Sequence, residues 1–294
     1  MKIETIHPFI PLIEKPFLQI FDFQSRGYEI VFVPNPGNTG DGLILFATLQ
    51  LFRKFKIKFR YYSSQIEFKN SKKIIVYCGG GGIKKIYPKI LRKIRLLSSQ
   101  NIPLIILPSS LDECGPLLDL FHEMVFVWAR EEKTYKYLNE KSDKKFNCGI
   151  SHDVALALDL EDNHLSTFTE LIPLNKKIAS SGLSLKAHRN DKEASLKTLS
   201  HIASHDLSRL TEPKWPNKAF SFEGVNYLAL CLQVSQFLNY LSLFEKIETD
   251  RMHVAIASIL LNKEIELFDN SDKKISSVYD HSLKFLSSKI KINW

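Results

Sequence analysis

Short apolar, β-branched runs recur along the first half of the chain, each followed by a turn rich in glycine, proline or asparagine and then a helical stretch. Residues 28–34, 58–62, 73–78, 103–107 and 124–128 read as strands, with helices expected over 43–55, 87–99 and 132–141. Runs this apolar have no polar face to turn to water, so they belong in a parallel sheet covered by helices on both sides. Strands that alternate with helices and end in glycine-rich turns predict a doubly wound α/β arrangement. Residues 108–116 read as a loop, and 152–157 close this half. A polar stretch, 159–177, is the candidate linker. Beyond it the alternation resumes: a weak strand at 177–185, a polar loop at 188–193, and a helix at 194–205. A strand at 219–222, a long helix at 227–244, a strand at 246–248, a helix at 252–261, a strand at 264–268 and a helical tail at 278–290 complete it. Two α/β units are expected, 1–165 and 166–294, and a cleft between two such units is where ligands bind.

The bulk numbers narrow the choice of partner. A formal charge of +8 and a pI near 9.1 suit an anionic substrate or an anionic membrane surface. No RNA-binding sheet motif, zinc finger or basic zipper is present, so nucleic acid is not expected as a partner. The cysteines Cys78, Cys114, Cys148 and Cys231 are widely spaced and form no CxxC pair, which fits buried thiols in a reducing compartment. The N-terminal stretch has no continuous apolar segment of the signal-peptide kind, and the long apolar run 225–244 is broken by Asn226, Gln233, Gln236 and Asn239. The expected location is cytoplasmic, with a peripheral contact at the inner membrane face suggested by charge alone. The oligomeric state is left open.

Four local patterns carry chemistry. Gly37-Asn38-Thr39-Gly40-Asp41 is a loop whose glycines expose N–H groups to an anion before a helix, although Asp41 could equally be a helix cap. Gly79–Gly82 follows a strand and reads either as a tight turn or as one wall of a ligand cleft, with Gly80 and Gly81 as backbone contacts. Arg189 and Lys192 sit in a polar loop and could clamp an anion or face solvent. Finally, Thr249-Asp250-Arg251-Met252-His253 reads as the start of an apolar helix, with Arg251 and His253 in its first turn. A cation and an imidazole at a helix N-terminus suit a phosphate or carboxylate. His152-Asp153 could orient a group in the cleft or simply cap a turn. Apart from His201 and His205, four residues apart but without an HExxH glutamate and read as facing solvent, no spacing suits a metal site, and no Ser-His-Asp triad is present.

Taken in order, the GNxGD loop, the glycine cluster, Arg189 through Glu193 (an R-T-D-K-E-like segment with Asn190 in place of the threonine) and the TDRxH helix start resemble the polysaccharide pyruvyl transferase family. Leu267-Phe268-Asp269-Asn270 and Lys274 through Tyr279 resemble its closing segment, so the likeness runs from about residue 30 to 285. The resemblance implies a GT-B-like fold of two Rossmann-like domains facing across a cleft. It also implies phosphoenolpyruvate as donor substrate, with no separate cofactor or metal, and a glycan or lipid-linked sugar as acceptor. The product would be a cyclic pyruvate ketal on two sugar hydroxyls, with phosphate released. Arg251, Arg189 and Lys192 are then donor contacts on the 166–294 unit, and Asn38, Gly40, Gly80 and Gly81 are substrate-binding positions on the 1–165 unit, the expected acceptor side. His253 is the expected general acid and Asp41 the expected base. A GT-B glycosyltransferase using a nucleotide sugar is the alternative, since fold alone does not fix function.

Overall fold

The computed structural model describes residues 10–68, 72–143, 145–166, 182–188, 207, 219–270 and 273–294. Helix α1 (Ile10–Ser25) leads into strand β1 (Glu29–Val33), helix α2 (Thr39–Lys54) and the short strand β2 (Phe59–Tyr61). Strands β3 (Lys73–Tyr77) and β4 (Gly80–Lys84), helix α3 (Pro88–Ser98), strand β5 (Leu104–Asp112) and the one-turn α4 (Gly115–Leu118) follow. Strand β6 (Val125–Ala129), helix α5 (Glu132–Ser142), strand β7 (Asn147–Ile150), a 3-10 turn at Val154–Ala157 and the short α6 (Asn163–Ser166) come next. The remaining described elements are β8 (Ser184–Ala187), the hairpin β9 (Phe220–Ser221) and β10 (Gly224–Val225), and α7 (Tyr227–Ser242). They end with β11 (Lys246–Thr249), α8 (Met252–Leu260), β12 (Glu264–Phe268), α9 (Lys274–His281) and β13 (Ile290–Asn293).

The expected parallel α/β architecture is present. Seven strands form one sheet in the order β2-β1-β3-β5-β6-β7, with β4 also paired to β5, and every pairing is parallel. A second parallel sheet has the order β13-β12-β11-β8. In the first sheet the strand order reverses between β1 and β3, which makes the crevice outside their carboxyl ends the natural ligand position of such a fold.

One face of the first sheet shares a core with the second sheet, while its other face, with Val31, Val33, Ile75 and Tyr77, belongs to a separate cluster. Ile30, Phe32, Ile74 and Val76 of the first sheet belong to the same buried cluster as Leu185, Ile247, Ile265 and Leu267 of the second. Helix α2 makes this possible: thirteen of its sixteen residues are buried, so it is apolar nearly all round. Fully burying each of its large aliphatic or aromatic side chains contributes about 1.5–3 kcal/mol. Helix α7 is sixteen residues long with polar side chains interspersed, and no helix among the described residues is long and apolar enough to cross a membrane.

Several sequence expectations change. The glycine cluster is not only a turn. Gly80–Lys84 is strand β4, which adds to β5 in the register Gly80↔Ser109 and Lys84↔Asp112. The reason is that β5 continues through the expected loop at 108–116 as far as Asp112, beyond the end of β3, and offers an edge there. Helix α2 starts at Thr39 rather than 43, because Asn38 caps it. Thr249 is the last residue of β11 and Arg251 is the N-cap of α8, so Thr249-Asp250 ends a strand instead of starting a helix. Strand β7 was not expected. The tail helix stops at His281, and the alternating Ile290-Lys291-Ile292-Asn293 forms an edge strand on β12. The loop expected at 188–193 lies outside the described residues beyond His188, and the helix expected at 194–205 lies wholly outside them.

Candidate active site

A cavity of about 260 Å³ opens where the carboxyl ends of the strands meet α2, α8 and α9. Its walls include Asn38, Gly40, Asp41, Gly81, Arg251, His253 and Lys274, with Phe237, Met252 and Val254 as the apolar part. A concave pocket with several convergent polar and charged groups suits a small polar molecule.

The first wall is the entry into α2. Asn38 Oδ1 accepts from Gly40 N at 2.8 Å, and Asp41 Oδ2 accepts from Asn38 N at 3.0 Å, which together form a capping box. Asp41 therefore does the structural work that the sequence left open, and its carboxylate also lines the pocket. It occupies the space above Gly37, where a Cβ would come within 1.8 Å of Asp41 Oδ2. The turn is braced from below by Asn35, whose amide donates to Gly79 O at 3.2 Å and accepts from Tyr77 Oη at 2.8 Å. Burial, with Cys78 and Asp41 nearby, pushes the Tyr77 hydroxyl well above its usual pKa, so it stays a donor.

The second wall is α8. Eight of its nine residues are buried, and the exception is His253. Its imidazole lies against Gly40: a Cβ on that glycine would sit 2.2 Å from His253 Nδ1. Gly40 has ordinary helical backbone, so what it supplies is room for the ring. Behind the ring, His253 Nε2 faces Asp153 Oδ2 at 3.6 Å. Asp153 is fully buried, pairs with Arg130 Nη1 and accepts from Ala155 N at 2.9 Å. Burial alone would raise the Asp153 carboxyl. Arg130, His253 and the Ala155 N–H outweigh it and hold the group well below the usual carboxylate range, so Asp153 remains an anion behind the imidazole. Both readings of His152-Asp153 are thus present: Asp153 caps the 3-10 turn and faces His253.

The third wall is β4. A Cβ on Gly81 would lie 2.2 Å from Lys274 Nζ and 2.9 Å from Arg130 Nη2, so two cations converge over a residue without a side chain. Arg130 is fully buried, donates from Nε to Ser110 Oγ at 2.7 Å, and leaves Nη2 without a hydrogen-bond partner. Gly80 takes no part in the lining. Its φ of +143° and the approach of Asn35 Nδ2 to 2.8 Å from its would-be Cβ make it a backbone requirement instead. Helix α9, which carries Lys274, is tied to the first half at its far end. His152 Nδ1 and Ser282 Oγ are 2.7 Å apart, His281 Nε2 meets Ser151 O at 2.8 Å, and the two imidazoles stack at 4.5 Å. Burial, then the neighbouring His281, lowers the His152 pKa to about 3.

The structure brings Asn38, Gly40, Asp41, Gly81, Arg251 and His253 to one cavity, from motifs far apart in sequence. Arg189 and Lys192 lie outside the described residues. Arg130 and Lys274 were not among the expected site residues. Arg130 directly follows β6 and Lys274 opens α9; a single cation at a strand end or a helix start is too common to single out.

Comparison with known proteins decides the family. The family model of polysaccharide pyruvyl transferases matches residues 38–271, most of the chain. The chain belongs to the polysaccharide pyruvyl transferase family. It is therefore a transferase of polysaccharide synthesis, and its family's reaction joins a pyruvyl donor to a glycan acceptor. Among solved structures, a functionally uncharacterized protein from Klebsiella pneumoniae subsp. pneumoniae NTUH-K2044 is similar, with 23% identity and a TM-score of 0.71 over 95% of this chain and 99% of that one. At that identity the likeness speaks for the fold alone. No curated protein shows a significant match. The family match begins at Asn38, the cap of α2, and runs through the TDRxH junction, so it covers the pocket's first two walls and the glycines of the third, while Lys274 lies just beyond it.

Proposed function

We propose that the chain transfers the pyruvyl group of phosphoenolpyruvate onto two hydroxyls of a surface-glycan sugar, or of its lipid-linked precursor, as a cyclic ketal with release of phosphate. The supporting observation is the seat of His253: an imidazole lodged against Gly40, backed by a buried carboxylate and flanked by cations. Phosphoenolpyruvate carries a phosphate and a carboxylate and needs two groups of donors. Arg251 with the N-terminus of α8 supplies one. Lys274, with Arg130 behind Gly81, supplies the other, and Arg189 and Lys192 complete the donor contacts. The two halves of the chain then act as the facing units of a GT-B-like cleft.

His253, as imidazolium, protonates the donor methylene, which becomes the methyl group and leaves an oxocarbenium-like C2. Asp153 stabilises the imidazolium by its charge and fixes the ring. A sugar hydroxyl adds to C2 and gives up its proton to a carboxylate, for which Asp41 is the pocket candidate through the oxygen that does not cap α2. The second hydroxyl then replaces phosphate at C2, and its proton leaves with the phosphate. One proton is added to carbon, two hydroxyl protons are lost, and inorganic phosphate departs.

The test is incubation with phosphoenolpyruvate and a panel of lipid-linked and free glycan precursors, following phosphate release and the mass of the acceptor. Acceptor-dependent phosphate release with pyruvate addition is the expected result. Release of nucleoside diphosphate from a sugar nucleotide, with phosphoenolpyruvate untouched, would overturn the proposal.

A further inference from the structure

The chain has no Asp or Glu between Glu67 and Asp112, yet this segment includes helix α3 and its approach, with Lys84, Lys85, Lys89, Arg92, Lys93 and Arg95. Two of these cations are committed to the protein. Lys84 is buried, and Lys93 lies over the Tyr62 ring at 3.4 Å, with Glu223 nearby. The other four, Lys85, Lys89, Arg92 and Arg95, are exposed and make no ion pair or hydrogen bond among the described residues. Lys89, Arg92 and Arg95, spaced three residues apart, fall along one side of α3, and Lys85 lies in the turn that leads into it. Two large apolar side chains accompany them: Ile86 in the same turn and Leu96 in the last turn of α3, each 48% exposed. At the far end Ser98 Oγ donates to Leu120 O at 3.2 Å, and this brings a third exposed apolar side chain beside the helix.

We infer that the outer face of α3 is a docking surface for an anionic lipid bilayer. Unpaired cations interleaved with exposed apolar side chains along a helix and its approach are the pattern that settles at a membrane–water interface: the apolar groups enter the acyl boundary and the cations meet lipid phosphates. A soluble protein partner of opposite charge would use the cations but not the apolar side chains. The face also has a place in the site. Tyr87 caps α3 and Ile90 lies in its first turn, and both line the catalytic cavity. A bilayer lying on α3 therefore sits at the rim of the pocket, where an acceptor sugar carried on a lipid would be presented.

Flotation of the full chain with vesicles tests this without any pyruvyl transfer, so its failure is separate from a failure of the proposed reaction. Vesicles of phosphatidylcholine, alone or mixed with phosphatidylglycerol, are compared at low and high salt. The wild type floats with the mixed vesicles, less so at high salt, and stays behind with phosphatidylcholine alone. The triple variant Lys89→Glu, Arg92→Glu, Arg95→Glu loses at least about tenfold in vesicle partitioning. A charge-matched variant on other exposed surface, Lys58→Glu, Lys136→Glu, Lys141→Glu, changes by less than about twofold. Ile86→Ser with Leu96→Ser weakens binding while leaving every charge in place. Equal flotation of the α3 charge variant and the wild type overturns the inference. So does an equal loss in the charge-matched variant, flotation with phosphatidylcholine alone, absence of flotation, or displacement from vesicles by a soluble polyanion in the α3 serine variant and the wild type alike.

Discussion

Two walls of the cavity are built by opposite means. At α8 and α9 the chain places functional groups at helix starts: Arg251 and His253 on the largely buried α8, and Lys274 at the start of the half-buried α9. At the α2 entry and β4 it removes side chains, and the space left over Gly37, Gly40 and Gly81 is filled by Asp41, His253 and Lys274 respectively. The glycine wall is thus the socket of the cationic wall. A motif glycine is usually assigned to backbone freedom, and Gly80 with its positive φ fits that role. Gly40 and Gly81 do not need it. They are required for volume, and the group that takes the volume comes from the other half of the chain.

Substitutions on either wall can break this comparison. The largest effect is expected at the ion pair behind the pocket. Asp153→Asn removes the closer of the two carboxylates on buried Arg130, leaving Glu131 at 3.7 Å, and costs about 3 kcal/mol of stability, read from urea unfolding. An unchanged midpoint would mean that Arg130 finds another partner. His253→Gln keeps the volume over Gly40 but not the proton chemistry, and lowers kcat by roughly 10³-fold with little change in stability. Retention of full kcat would remove His253 as the acid.

The two glycines separate the walls further. In Gly40→Ala the added methyl meets a ring fixed on a buried helix, so the imidazole must move, and kcat falls roughly 10²-fold. In Gly81→Ala the methyl meets the end of a flexible lysine, which can swing aside. The expected change is a rise of roughly tenfold in KM for the donor at nearly constant kcat, since the groups displaced, Lys274 Nζ and Arg130 Nη2, are the proposed donor-binding cations and not the acid. Equal effects of the two alanines on kcat would show that the socket does not distinguish its occupants.

A pH-dependent effect, absent at neutral pH, concerns the anchor of α9. The pKa of His152 is lowered to about 3 in the folded chain, whereas an unfolded histidine binds its proton near pH 6.5. Between these values the unfolded state holds the extra proton, so stability is full above about pH 6.5 and declines as pH falls toward 3, by at most about 1.4 kcal/mol per pH unit. His152→Gln should flatten this decline in urea titrations from pH 7 to 4. An unchanged slope would assign the acid sensitivity elsewhere.

Much of this was legible before any coordinates. Strand β1, helix α3 and helix α8 follow from apolar runs and helical periodicity, and Asp41 reads as a cap, although the structure makes Asn38 the cap and Asp41 its partner in the box. The TDRxH junction was read as an anion site from its neighbours alone, although the local geometry put Thr249 at a strand end. Strand β4 was hidden because glycines are poor strand formers, and it forms only because β5 extends far enough to pair with it. Arg130 is hidden because nothing in its own neighbourhood differs from any cation at a strand end, and Lys274 because its segment resembles the family without marking which residue reaches the pocket.

By itself, then, the sequence determined the alternating α/β order, the capped entry to α2, the apolar helix that carries His253 and the family to which these motifs point. Each is a matter of periodicity or of contacts a few residues apart. Only the tertiary structure decided that Gly40 makes room for His253, that Asp153 stands behind it and that Lys274 occupies the space over Gly81. A glycine's sequence records the absence of a side chain, while the group that fills the resulting space is chosen by how two sheets pack around α2.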